Sequence, residues 1–229
     1  MMARILVFDV QETLLDLGGL DAALTHSFAE PGAVRRAWFA QLLQSAFVGT
    51  ITNHYVDYLT VGDAALQVAA AREDVVLAPH ERQRILAHLR QLPAHGDVAG
   101  ALARLREHGL RLVALSNIPR DTLEAQLTAA KLRDDFEQVF SADEVRRLKP
   151  APEPYQMVAE RLGVAIGELR LVSAHAWDIA GALRAGAKAA YVQRPGQFFD
   201  PLVSQPDAMG EGLAETAERI LEAEGLKRG

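Results

Sequence analysis

The chain has 229 residues, of which 49% are hydrophobic and 24% charged, with a formal net charge of −6 and no cysteine. This is the composition of a globular chain and excludes disorder, collagen and coiled coil, while the missing cysteines exclude a disulfide framework, a thiolate zinc site and a cysteine nucleophile. The acidic balance argues against nucleic acid or an anionic membrane as partner, and no window of ~18 uninterrupted apolar residues offers a transmembrane helix.

The segment Met1 to Asp9 holds one basic residue and a four-residue apolar run, which does not read as a signal peptide, so a cytoplasmic location is expected. That run, Ile5-Leu6-Val7-Phe8, stops abruptly at Asp9 and reads as a strand buried on both faces. The interval from about Leu20 to Leu92 is helical in pattern throughout, with predicted helices Val34–Phe47, Tyr55–Ala71 and His80–Leu92. A crossover of roughly 80 residues is far longer than an ordinary connection. It predicts an inserted helical domain, with residues 17–94 as cap and 1–16 plus 95–229 as core.

Beyond the insert, Asp97 is expected to cap a helix carrying Val98, Leu102 and Leu105 that Gly109 stops. Apolar runs follow at Leu110–Leu115 before Ser116-Asn117, at Leu169–Val172 before Ser173, and at Ala189–Val192 before Gln193-Arg194. Val139-Phe140 before Ser141 is a shorter strand candidate. Helices are predicted over Arg120–Lys131, Pro154–Leu162, Ile179–Ala185 and Met209–Leu226, the last with a charged tail. Strand–helix alternation of this kind predicts right-handed crossovers in a doubly wound α/β parallel sheet, Rossmann-like in form.

In such sheets the reactive groups sit beyond the carboxyl ends of the strands. Those positions carry Asp9 and Thr13, then Ser116-Asn117, then Lys149, then Ser173-Ala174-His175-Ala176-Trp177-Asp178. Taken singly, each has a plain reading as a turn former, a solvated loop or a cap. Tyr155 could equally be a core aromatic, and His175 a satisfied loop histidine. Their order and spacing together resemble the four motifs of the haloacid dehalogenase superfamily over essentially the whole chain. Leu115-Ser116-Asn117, Lys149-Pro150 with Tyr155, and Val172-Ser173 with Ala176-Trp177-Asp178 are similar to the hydrolytic 2-haloacid dehalogenases within it.

The resemblance implies a small carboxylate as substrate and Asp9 as nucleophile, with Lys149 holding it ionised and Thr13 and Ser173 bonded to its carboxylate. It implies that Asp178 orients or activates the hydrolytic water, and that Ser116 and Asn117 receive substrate carboxylate or halide. Gln11, Phe39, Tyr155, His175 and Trp177 complete the expected pocket. Superfamily phosphatases use a second acid two residues after the nucleophile, where this chain has the amide Gln11. They also use a metal-ligating acid where it has Ala174. Neither metal nor cofactor is therefore expected.

Three positions depart from the 2-haloacid dehalogenase pattern. With Asn53-His54-Tyr55 as anchor, Trp38 aligns with a family tryptophan, and Phe39 stands where the substrate-clamping arginine follows it. His175 replaces an asparagine, and Gln11-Glu12 replaces Tyr-Gly. Arg35 and Arg36, one turn earlier, read as solvated helix surface. A hydrolase of another small substrate, or a non-catalytic ligand-binding relative, is the alternative reading. The apolar cap helices are compatible with a homodimer.

Overall fold

The computed structural model describes residues 4–226, so the extreme ends of the expected core, 1–3 and 227–229, lie outside the described residues. Six parallel strands form one sheet in the order β3-β2-β1-β4-β5-β6. They are β1 (Ile5–Phe8), β2 (Arg111–Ser116), β3 (Gln138–Ser141), β4 (Leu169–Ser173), β5 (Lys188–Gln193) and β6 (Ala208–Glu211). The continuous apolar runs are explained by the two faces. Leu6 and Phe8 pack with Ala114, Val139, Val172 and Val192 on one side. Ile5 and Val7 pack with Val113, Leu115, Phe140 and Leu171 on the other. Successive residues of a strand point to opposite faces, so a strand covered on both needs every position apolar.

Between β1 and the next core helix lies the helical insert: a short α1 (Asp21–Leu24), then α2 (Pro31–Ile51), α3 (Tyr58–Arg72) and α4 (Pro79–Ala87). Asp57 begins α3 by accepting from the Thr60 amide at 3.0 Å, an N-cap that places the helix start three residues later than Tyr55. Trp38 is buried in the insert and donates its indole N–H to the Gly62 carbonyl at 2.9 Å, which fixes the rotation of α2 on α3. No helix among the described residues is long and apolar enough to cross a membrane.

The remaining core helices are α5 (Val98–Glu107), α6 (Arg120–Ala129), α7 (Pro152–Leu162), α8 (Ala176–Ala185) and α9 (Leu213–Ala223). Two expectations change here. Met209–Leu226 is not one helix: Ala208–Glu211 adds an edge strand, and α9 begins after Gly212, whose φ is +87°. An edge strand half open to solvent carries no apolar run to announce it. Gly210 is required within it, since a Cβ would lie 2.5 Å from the Thr216 amide nitrogen. Asp97 precedes α5 without capping it. Its carboxylate accepts instead from the Leu213 amide at 2.6 Å, serving the N-terminus of α9, and from Arg194 at 2.9 Å.

Candidate active site

The register of the three central strands brings the chemistry together. Phe8 lies beside Ala114 and Val172, so Asp9, the Ser116-Asn117 pair and Ser173 leave the sheet at one level. Asp9 is 4% exposed and sits in a cage of donors. Its Oδ1 accepts from Lys149 Nζ at 2.8 Å, and its Oδ2 accepts from Thr13 Oγ1 at 2.6 Å and Ser173 Oγ at 3.5 Å. Thr13 Oγ1 is itself oriented by the Ala174 amide at 2.9 Å.

Lys149 is fully buried and spends all three protons inside the protein. Beyond Asp9 it donates to Asp178 Oδ2 at 2.6 Å and to the Leu115 carbonyl at 3.2 Å. Asn117 brackets its peptide, accepting from the Lys149 amide at 2.7 Å and donating to the Lys149 carbonyl at 3.3 Å. Tyr155 donates to Asp178 Oδ1 at 2.5 Å. It therefore stands behind Asp178 and off the cavity wall, a correction to its expected contact with substrate.

The two carboxylates that share Lys149 are driven apart. Burial works to raise Asp9, but the charges of Lys149 and His175 and the bonds from Lys149 and Thr13 outweigh it and hold its pKa below the ordinary value. Burial also raises Asp178, and there the negative charge of Asp9 adds to it, leaving the pKa above the ordinary value. An ionised Asp9 beside a more basic Asp178 is the division of labour that nucleophilic attack followed by hydrolysis requires. Burial lowers Lys149, yet its two carboxylate partners more than offset that and raise its pKa.

A narrow cleft, with about 10 Å³ of space for a water-sized occupant, adjoins Asp9. Ser116, Asn117, Lys149, His175 and Trp177 line it from the core, together with Gln11; Phe39 and Tyr58 close it from the insert. Asp178, Thr13 and Ser173 lie behind this wall. Phe39 faces His175 with ring centroids 5.6 Å apart, His175 stacks on Trp177 at 5.1 Å, and Phe47 meets Trp177 edge-on at 5.4 Å. The insert thus seals the nucleophile from water with aromatic rings. A larger, mostly apolar hollow of about 390 Å³ runs between α2, α3 and the Arg146–Leu148 loop, and Asp9 does not line it.

One other expectation meets a different arrangement. Arg35 is not solvated: its side chain is 18% exposed and is engaged by Asp21 at 2.7 Å and Glu12 at 3.8 Å, away from the cavity. The donor set does not suit a divalent cation either. Both oxygens of Asp9 are taken by proton donors, and Ala174 has no side-chain oxygen to ligate a metal. Among the described residues no group of three His, Asp or Glu is placed to hold a metal ion.

Sequence reasoning missed Tyr58 and Arg194. Burial and the nearby charges of Asp9 and Asp178 raise the Tyr58 phenol far above its ordinary value, so it faces the cavity as a neutral donor. Arg194 is buried at the end of β5, where it forks Nε and Nη2 onto the Thr13 carbonyl at 3.1 and 2.9 Å and Nη1 onto Asp97. It holds the peptide whose hydroxyl holds Asp9. Arg194→Lys loses the fork and is expected to destabilise the fold by about 1.5–3 kcal/mol, read as a lower urea midpoint at unchanged m-value.

The profile of the haloacid dehalogenase-like hydrolase family matches residues 3–186. An (S)-2-haloacid dehalogenase from Burkholderia cepacia is 30% identical over 96% of this chain and 97% of its own. A solved L-2-haloacid dehalogenase is 27% identical with a TM-score of 0.90, covering 96% of this chain and 99% of the other. A further one, from Xanthobacter autotrophicus with chloropropionic acid covalently bound, is 24% identical, with a TM-score of 0.89 over 97% of this chain and 99% of that one. The last likeness is one of fold.

Proposed function

The chain belongs to the haloacid dehalogenase-like hydrolases, and from that premise we propose that it displaces halide from a small 2-halocarboxylate through an ester of Asp9. The observation that carries this reading is an ionised, caged Asp9 with the amide Gln11 where a phosphatase needs a proton donor. A halide leaves without protonation; an alkoxide does not.

In the first step an Asp9 carboxylate oxygen attacks the halogen-bearing carbon in line, a carbon–oxygen bond forms, and halide departs with the electron pair. Asp9 is buried away from bulk water, and a substrate carbon positioned against it reacts as though present at roughly 10⁵–10⁸ M. In the second step water attacks the aspartyl carbonyl. Its proton passes toward Asp178 by way of Lys149, whose Nζ bridges the two carboxylates. On collapse of the adduct the ester C–O bond breaks and the departing alkoxide takes back the proton held at Asp178, freeing the 2-hydroxy acid; loss of the remaining hydroxyl proton of the adduct restores the Asp9 carboxylate. Thr13 and Ser173 keep the carboxyl group oriented throughout.

The experiment is halide release from chloroacetate, fluoroacetate and 2-chloropropionate, with and without EDTA. Unchanged release in EDTA is expected. A strict Mg²⁺ requirement, or turnover of p-nitrophenyl phosphate above background, would overturn the assignment.

Phe39 favours a second reading, hydrolysis of another small substrate through the same Asp9 ester. No arginine lines the cavity among the described residues, and Phe39 packs on His175 from α2. A charged hydrogen bond contributes about 1.5–3 kcal/mol and a bidentate pair more. Turnover of 2-chloropropionate is accordingly expected to be at least ~10²-fold slower than in arginine-bearing relatives. Phe39→Arg should recover part of that in kcat/KM, whereas an arginine at Ala40, which is exposed, should not. If neither wild type nor Phe39→Arg releases halide from any small haloacid, the second reading stands.

A further inference from the structure

One amide on the cavity wall has a donor with nothing to donate to. Gln11 is 5% exposed, lines the cavity with Asp9 and Lys149, and its Nε2 is buried without a hydrogen-bond partner. The backbone around it is held in place. The Gln11 carbonyl accepts from His175 Nε2 at 3.1 Å, and the residue pairs with Leu15 in an isolated bridge. A buried donor left unpaired costs stability, and few such donors are tolerated in a folded protein. Gln11 is thus matched to an acceptor that arrives from outside.

The other donors near the cavity show what that acceptor is. Lys149 has no proton left, having spent its three on Asp9, Asp178 and the Leu115 carbonyl. Arg35 is occupied by Asp21 and Glu12, and His175 Nε2 by the Gln11 carbonyl. Trp177 Nε1 is the second buried donor on the wall without a partner. An acceptor lodged here meets the unpaired N–H groups of Gln11 and Trp177 and no free guanidinium or ammonium. That suits a single negative charge and leaves a phosphate dianion uncompensated.

We propose that the Gln11 amide N–H is the hydrogen-bond donor to the anionic end of a small monoanionic substrate, its carboxylate or its departing halide, in the role a guanidinium would otherwise fill. The identity of the substrate rests on the dehalogenase reading; the anion-binding role of Gln11 does not.

Two near-isosteric variants test it on the full chain. Gln11→Met keeps the length and removes the donor; Gln11→Glu keeps the shape and adds a negative charge. Titration calorimetry with two probes, bromide and 2-hydroxypropionate, reads binding without turnover. Gln11→Met should weaken at least one probe by about tenfold or more, and Gln11→Glu should weaken it further. In the ligand-free state Gln11→Met should not lower Tm, because it removes an unpaired buried donor; a residue of purely structural value would lower it. The kinetic arm separates the two acceptors. A weakened 2-hydroxypropionate affinity with equal losses of kcat/KM on fluoro-, chloro- and bromoacetate assigns the carboxylate. A weakened bromide affinity with a loss that differs among the three assigns the halide. Both affinities within twofold of wild type in both variants, or no measurable binding of either probe by wild type, would overturn the proposal. Binding lost in Gln11→Met by a protein that releases no halide would sink the dehalogenase reading and leave this one in place.

Discussion

Asp9→Asn is expected to lower turnover by roughly 10⁴-fold or more while leaving the fold intact, in line with the loss of a covalent nucleophile in other hydrolases. The amide has nearly the same shape, and its one oxygen can still accept from Lys149, which bonds to Asp9 at 2.8 Å, while its NH2 turns to the Thr13 hydroxyl, 2.6 Å from Asp9. It is a far weaker nucleophile than a carboxylate. The substitution also removes one of two buried negative charges flanking Lys149, relieving the repulsion that raises Asp178. Thermal stability should therefore change little. Single-turnover halide release is the measurement, and retention of more than a few per cent of wild-type activity would remove Asp9 from the role.

Lys149→Met is expected to cost both activity and stability. Asp9 and Asp178 would remain buried without the cation that bonds to each, at 2.8 and 2.6 Å. Breaking a buried ion pair by removing one partner costs about 3–5 kcal/mol, against a total stability of roughly 5–15 kcal/mol. Turnover should fall at least ~10³-fold, because the remaining nucleophile is protonated or displaced.

The pH dependence carries a sign that distinguishes the two proteins. In wild type the lowered Asp9 pKa contributes stability above the unfolded value near 3.8, lost as pH falls through the folded value. Asp178, raised, works the other way, costing stability as pH climbs from 3.8 through its folded value. Lys149, raised above 10.5, contributes fully below that pH and is lost only as pH rises through its folded value. Without the cation both carboxylates are raised, so Lys149→Met should gain stability as pH falls from neutral toward about 4. Urea midpoints at pH 5 and pH 8 check this; a variant more stable at pH 8 would contradict the role given to Lys149.

What the sequence makes legible follows from where each residue's burial comes from. Ile5–Phe8 and Leu112–Leu115 are covered on both faces, so an uninterrupted apolar run announces them. Asp9, Lys149 and Asp178 stand out because a charge directly after such a run, or within a motif of fixed order, needs a reason. The strand Ala208–Glu211 gives no such signal, having one buried residue in four and a glycine dictated by the approach of α9. Arg194 looks like an ordinary polar residue closing a strand. Only the fold shows that its guanidinium returns to the Thr13 carbonyl, 181 residues away in the chain. Tyr58 is hidden for a related reason: a tyrosine at a helix start reads as insert core until the insert is laid over Asp9. The position of Tyr155 behind Asp178 is likewise a matter of depth, which periodicity does not encode.

The central claim is that the oxygen delivered to the product comes first from Asp9, and one labelling experiment addresses it directly. Excess enzyme turns over 2-chloropropionate once in oxygen-18 water, and the product and the peptide containing Asp9 are weighed separately by mass spectrometry. The account predicts unlabelled 2-hydroxypropionate and one oxygen-18 atom in the Asp9 side chain, because water attacks the aspartyl carbonyl and not the substrate carbon. Labelled product with an unlabelled Asp9 after a single turnover would contradict it and place the attacking water directly on the substrate.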